Sequence, residues 1–189
     1  MVITHTALFA ILTLAKVLGP TSDEDRTRYE RLATEWSHAV ETADKLPVVC
    51  TNGTRCDEAK KASVLALVSI AWHESKFAAN VEDCSLCVPG GLHCDAGRAV
   101  TMFQMQNGGW KGWNGNSRRA LCSSNELAAS TALVILTKRE APLPASFMTY
   151  AGRKKTGAEL VTLFNRLIKG TGVKLRHGVV TTTVPASGA

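Results

Sequence analysis

Between Glu58 and Phe77 the chain carries a long apolar run in which Val64, Leu67, Val68, Ala71 and Trp72 fall at i, i+3, i+4, i+7 and i+8. That is the spacing of one face of an α-helix, and Asp57 stands where an N-cap is expected. This is the strongest secondary-structure signal in the chain.

The remaining periodic segments are helical as well. Leu8, Ile11, Leu12, Ala15 and Leu18 repeat at helical spacing, which predicts a first helix packed on the core. Gly19 to Asp23 reads as a turn and capped helix start, followed by a polar amphipathic helix over 24–43 with Tyr29, Leu32, Trp36 and Val40 on one side. Residues 126–139 return to helix with Leu127, Ser130, Thr131, Val134 and Ile135 on one face, and Pro142 and Pro144 end it. A short helix over 145–150 and a last one over 157–169, with Leu160, Leu163, Phe164 and Leu167 inward, complete the pattern. Alternating strand-like stretches are scarce, so the expected fold class is mainly α. The 189 residues divide into N-terminal helices over 1–57 that pack on or lead into the domain, a main domain over 58–177, and a flexible tail over 178–189.

Residues 1–19 have a second reading. The apolar stretch is interrupted by Lys16 and falls short of the ~20 residues that a membrane span needs, so no stable span is expected. A signal segment is the alternative to a core helix, although a basic residue before the apolar run and a clear cleavage site are both missing.

Six cysteines, Cys50, Cys56, Cys84, Cys87, Cys94 and Cys122, crowd the middle of the chain. An even number around loops rich in glycine points to disulfides and to an oxidising, extracytoplasmic setting. Cys84-x2-Cys87 followed by His93-Cys94 leaves a zinc site as the competing reading, and six cysteines allow about 15 pairings. Charge is uneven: residues 138–189 carry nine Lys or Arg against Glu140 and Glu159, a local +7 within a chain of net charge +6. Such a basic end suits an anionic polymer or serves as a solubilising face.

Glu74 lies three positions after Ala71 and seven after Leu67, which puts its carboxyl on the apolar edge of the long helix. Partial burial there favours the protonated form, as an acid that protonates a leaving group requires. The sequence Trp72-His73-Glu74-Ser75-Lys76-Phe77 resembles the Glu-Ser-x-Phe motif of the lytic transglycosylase and goose-type lysozyme superfamily. Ala99-Val100-Thr101-Met102-Phe103-Gln104, continued by Met105-Gln106, is similar to that superfamily's Ala-x-Gly-Leu-x-Gln stretch. Tyr150-Ala151-Gly152-Arg153 resembles its Tyr-x-x-Gly segment, so the resemblance covers residues 58 to about 155. It departs from the pattern where Thr101 replaces the usual glycine and where the cysteine loop is longer.

The resemblance implies a lysozyme-like helical domain with long disulfide-stapled loops, acting on peptidoglycan glycan strands without a cofactor. Glu74 would be the general acid and then the base. Gln104 would bind the sugar near the scissile bond, Tyr150 would direct its hydroxyl toward Glu74 or the substrate, and Ser75, Met102 and Gln106 would line the same cleft. A retaining glycosidase needs a second carboxylate about 5–5.5 Å away, and only Glu82, Asp83 and Asp95 are near in sequence. A transglycosylase avoids that need through the substrate's own N-acetyl group, leaving a 1,6-anhydro-muramyl end. Hydrolysis on the same site is the close alternative, and a non-catalytic wall-binding module is the alternative of another class. The enzyme would act as a monomer, secreted or periplasmic, or on a phage virion, with no nucleic-acid partner.

Trp110 and Trp113, among Asn107, Asn114, Asn116 and several glycines, suit stacking on sugar faces, although tryptophans as often plug a loop. A zinc protease is excluded because Phe77 stands where the second histidine of that motif belongs, and His73, with Ser75, reads as a solvent-facing or hydrogen-bonded neighbour and not as a catalytic base. Nucleophile elbows, phosphate loops and dinucleotide fingerprints are missing.

Overall fold

The structure, a computed structural model, describes residues 2–48, 56–106, 113–137, 143, 146–147, 150 and 154–175. The long helix α3 runs Asp57–Ser75 and is not amphipathic: every residue from Ala62 to Trp72 is buried. A helix apolar all round belongs in the middle of a fold, and α1 (Val2–Ala15), α2 (Asp23–Thr42) and two later helices sheathe it. Those later helices are α6 (Asn125–Thr137) and α7 (Lys154–Thr171). Two serines inside α3 meet the cost of burial locally, Ser63 and Ser69 each donating a hydroxyl 2.8 Å to the carbonyl four residues back. The N-cap is not Asp57 but Cys56, whose Sγ accepts the Ala59 amide at 3.4 Å. Asp57 and Glu58 then occupy the first turn, where carboxylates offset the helix dipole.

The chain is mainly helical, and one apolar core runs from Ile3 in α1 to Val173 beyond α7. Tyr29, Leu32, Trp36 and Val40 of α2 all face it, behind an N-cap made by Ser22 on the Asp25 amide at 3.0 Å. The stripe of α1 is rotated from the expected one, with Ile3, Ala7, Ala10, Ile11, Leu14 and Ala15 buried, whereas Leu18 is exposed. Alanines on the inner face allow α1 to approach α2 and α3 closely, and the larger Leu8 and Leu12 pack at its margins. In α6 the buried set is Ala128, Ala129, Thr131, Ala132, Leu133, Ile135 and Leu136, with Leu127, Ser130 and Val134 only half-buried. Leu160, Phe164 and Leu167 of α7 are buried as expected, whereas Leu163 is half-buried at the edge of the core. Among the described residues no helix is long and apolar enough to cross a membrane. The prolines after α6 and the tail over 178–189 lie outside the described residues.

Beyond α3 a short helix, α4 (Ala79–Glu82), ends on a carboxylate that is 8% exposed. Glu82 accepts from Arg28 Nη1 at 3.1 Å, from Arg31 Nη2 and from Asn125 Nδ2 at 2.8 Å, joining α2, α4 and α6. Arg28 also donates to the Phe77 carbonyl at 2.8 Å.

The cysteine loop is stapled twice. Cys84 bonds Cys122 of α5 (Arg118–Ser123), and Cys87 bonds Cys94. Cys56 is disulfide-bonded too. The thiols that could have held zinc are consumed in these bonds, and no group of three or more potential ligands forms a metal site among the described residues. Closing 38 residues with the first staple removes unfolded-chain entropy equivalent to about 4 kcal/mol in the chain-entropy account.

Within this loop Cys94, Asp95, Ala96 and Gly97 form one left-handed turn with φ between 52° and 74°. Side chains other than glycine resist that region by ~1–2 kcal/mol per residue, so the turn relies on the Cys87 staple and on Arg118, which donates to the Gly97 carbonyl at 2.6 Å and to that of Cys87. Gly97 is required there, because a Cβ would collide with the backbone of Val88 and Pro89. Gly97→Ala is expected to cost about 2–4 kcal/mol in urea unfolding, from the left-handed φ and the collision together. A loss under about 1 kcal/mol would show that the turn relaxes freely.

Candidate functional site

Glu74 sits in the last turn of α3, with its side chain 19% exposed. The helix stops one residue later because Lys76 adopts a left-handed conformation, φ 53°, its amide closing on the Trp72 carbonyl at 2.9 Å. Phe77 follows at φ 58°, and these two residues turn the chain inward so that Phe77 is 1% exposed. Its ring lies 6.2 Å from Trp36 and 5.4 Å from Trp72. The Glu-Ser-x-Phe segment therefore has a local logic: the Phe anchors the helix end while the Glu stays at the margin. Ser75 Oγ donates to the Ala71 carbonyl at 2.7 Å and is a helix-end residue in this structure.

The second segment forms a small antiparallel hairpin, β1 (Ala99–Val100) against β2 (Met105–Gln106), with Ala99 opposite Gln106 and Val100 opposite Met105. Its four-residue connection begins at Thr101 with φ 62° and ends at Gln104 with φ 47°. Position 101 thus has a backbone suited to glycine, and a buried β-branched residue occupies it under strain. Thr101→Gly is expected to change stability by less than about 1 kcal/mol in urea unfolding. Strain relief of about 1–3 kcal/mol offsets a lost methyl and added glycine entropy, each roughly 0.5–1 kcal/mol. A loss of more than about 2 kcal/mol would show that the left-handed φ carries little strain.

Gln104, half-buried, donates from its amide to the Thr101 carbonyl at 3.1 Å and lies 3.7 Å from Cys94 Sγ. Gln106 is exposed and donates to Asp95 at 2.9 Å. Met102 is a core residue, 1% exposed, and Phe103 packs on Trp36 at 5.4 Å. The aromatic residues of the first two segments thus meet on the same indole of α2.

Tyr150 links these two segments to the third. Its ring is fully buried, and its hydroxyl donates to the Phe103 carbonyl at 2.6 Å. Burial, and then the negative charge of Glu74, push the phenol well above its ordinary value, so it remains a protonated donor. A direct bond therefore joins the second segment to the third, and the charge of Glu74 in the first acts on the same phenol, while Ala151, Gly152 and Arg153 lie outside the described residues.

The other carboxylates near Glu74 in sequence are occupied elsewhere. Glu82 is held by its two arginines, Asp83 accepts the Ser85 amide at 2.8 Å, and Asp95 binds Arg98 at 2.7 Å as well as Gln106. Among the described residues, a carboxylate from α7 reaches the neighbouring histidine: Glu159 Oε2 is 3.1 Å from His73 Nε2, and His73 Nδ1 is 3.8 Å from Glu74 Oε1. Sequence reasoning missed this partner, because nothing in the local pattern ties Glu159 to a histidine 86 residues earlier. Glu74 raises His73 above its ordinary range against the opposing effect of burial, and Glu159 adds to the rise. The bond from His73 correspondingly holds Glu159 below the usual carboxylate range. The His73 contribution to stability is complete below its unfolded value and fades as pH rises through the raised one; that of Glu159 fades as pH falls through its lowered one.

Trp113 is half-buried against the core and donates its indole N–H to the Met105 carbonyl at 3.1 Å, and Asn116 bonds Thr131 at 3.1 Å. Trp110 and Asn107 lie outside the described residues. No protein-family model, no curated protein and no solved structure matches the chain.

Proposed function

We propose that this chain is a lysozyme-like lytic transglycosylase that cleaves the MurNAc-β-1,4-GlcNAc bond of peptidoglycan, with Glu74 as its single acid and base. The observation that supports this is the bond from Tyr150 to Phe103, which joins two of the three segments that resemble the superfamily, on a phenol that the charge of Glu74 in the other segment also acts upon. A half-buried carboxyl on a rigid helix end, backed by a buried phenol, is suited to giving and regaining a proton.

In the proposed reaction Glu74 protonates the bridging oxygen as the bond to C1 of the muramyl sugar breaks. The neighbouring N-acetyl oxygen bonds to C1 and carries the developing positive charge. The sugar's 6-hydroxyl then attacks C1, the N-acetyl oxygen leaves, and the hydroxyl proton returns to Glu74, giving a 1,6-anhydro end with no water consumed. Engagement of Glu82, Asp83 and Asp95 in structural bonds supports a route without a second protein carboxylate. The stapled loops suit an extracytoplasmic setting, and the basic C-terminal third suits a wall polymer rich in anionic groups.

Mass spectrometry of fragments released from purified peptidoglycan tests the proposal. Anhydro-muramyl ends, lighter than hydrolytic ends by one water, are the expected product. Reducing ends would make the chain a hydrolase on the same site, and no release from a folded chain would leave the wall-binding reading.

A further inference from the structure

His73 is the group at this site that the proposed reaction leaves unexplained. It is held from two sides by charge: Glu159 on α7 takes its Nε2 at 3.1 Å, and Glu74 on α3 lies 3.8 Å from its Nδ1. Among the described residues, the other charges that act on this pair are Lys76, stacked over Trp72 at 5.0 Å, and Lys155 one turn before Glu159. Tyr150, also within reach of the Glu74 charge, is a neutral donor turned to Phe103. Nδ1 itself is buried without a hydrogen-bond partner. A buried ring nitrogen is costly to leave unpaired, and Glu74 Oε1 stands just beyond bonding distance.

We propose that His73, anchored through Nε2 by Glu159, is a positioning residue whose Nδ1–H holds Oε1 of Glu74 and leaves Oε2 to the substrate. The role rests on Glu74 being the acid and base. The imidazolium donates to both carboxyl groups at once, and it keeps both of its own protons throughout. As Oε2 gives its proton to the leaving sugar oxygen, negative charge spreads over the Glu74 carboxylate and meets Nδ1–H. When the 6-hydroxyl proton returns to Oε2, that charge is discharged again. Glu159 never touches the substrate; it fixes the ring and favours its charged form.

Two readouts test this. In NMR titrations of the imidazoles, the His73 signal, identified by its loss in His73→Gln, is expected to titrate at lower pH in Glu74→Gln and in Glu159→Gln than in wild type. In pH profiles of fragment release, Glu159→Gln is expected to move the alkaline limb to lower pH at unchanged KM. His73→Gln is expected to lower kcat on the order of 10–100-fold and to leave an alkaline limb that a further Glu159→Gln no longer moves. A His73 midpoint that ignores Glu74→Gln overturns the pairing, whatever the catalytic result. An alkaline limb that still shifts with Glu159→Gln in a folded His73→Gln background overturns the positioning role. A wild-type chain that releases no fragments overturns the lytic proposal instead, a result distinguishable from the first because the titration needs no activity.

Discussion

Glu74→Gln is expected to lower fragment release by on the order of 10³-fold or more while leaving the thermal unfolding midpoint within a few degrees of wild type. The two expectations have separate causes. Gln matches Glu in volume, and the site lies on the margin of the core with the side chain 19% exposed, so packing of Phe77 and Trp72 is undisturbed. What the amide cannot do is deliver a proton to a departing sugar oxygen or take one from the 6-hydroxyl. The nearby carboxylates of α4 and the stapled loop, Glu82, Asp83 and Asp95, are engaged in structural bonds and are not placed to replace it. Initial rates of muropeptide release beside a melting curve measure both quantities. Activity retained within about tenfold would remove Glu74 from the chemistry.

A large effect on stability is expected at Glu82. Its carboxylate is 8% exposed and binds Arg28, Arg31 and Asn125, so removing it leaves Arg28, itself largely buried, without its closest countercharge. Breaking such a pair from one side costs about 3–5 kcal/mol, because the surviving charge has lost its water and its partner alike. Glu82→Gln, followed by urea unfolding with disulfides intact, should fall near the lower end of that range. The amide can still accept from Asn125. Activity per folded molecule should change little, whereas a role for Glu82 as a second catalytic carboxylate would collapse it. A stability loss below about 1 kcal/mol would mean that water replaces the carboxylate readily.

What could be read from the sequence depended on contrast between faces. In α2 a polar background sets off Tyr29, Leu32, Trp36 and Val40, and all four are buried. In α1, α3 and α6 apolar residues surround most of the axis, so periodicity has little to register. The inner face of α1 is chosen by small size as much as by hydropathy, and α3 has scarcely an outer face to detect. Cysteine spacing signalled cross-links without their partners, since Cys122 is adjacent to Cys84 only once α5 has folded against the loop. At the site, three motifs marked segments that do approach one another. The particular bonds were not legible, including Tyr150 to Phe103 and His73 to Glu159, since they depend on where α3, α7 and the hairpin come to rest.

The encasement of α3 has a consequence for how this molecule tolerates change. A side chain at the end of a rod gripped on all sides owes its position to the cooperative folding of the whole core, and little ordering is left to be done when a ligand arrives. Moderate substitutions in the sheath should therefore reduce the number of working molecules without degrading each one. Specific activity, normalised to the folded fraction, should stay level until the population itself melts away.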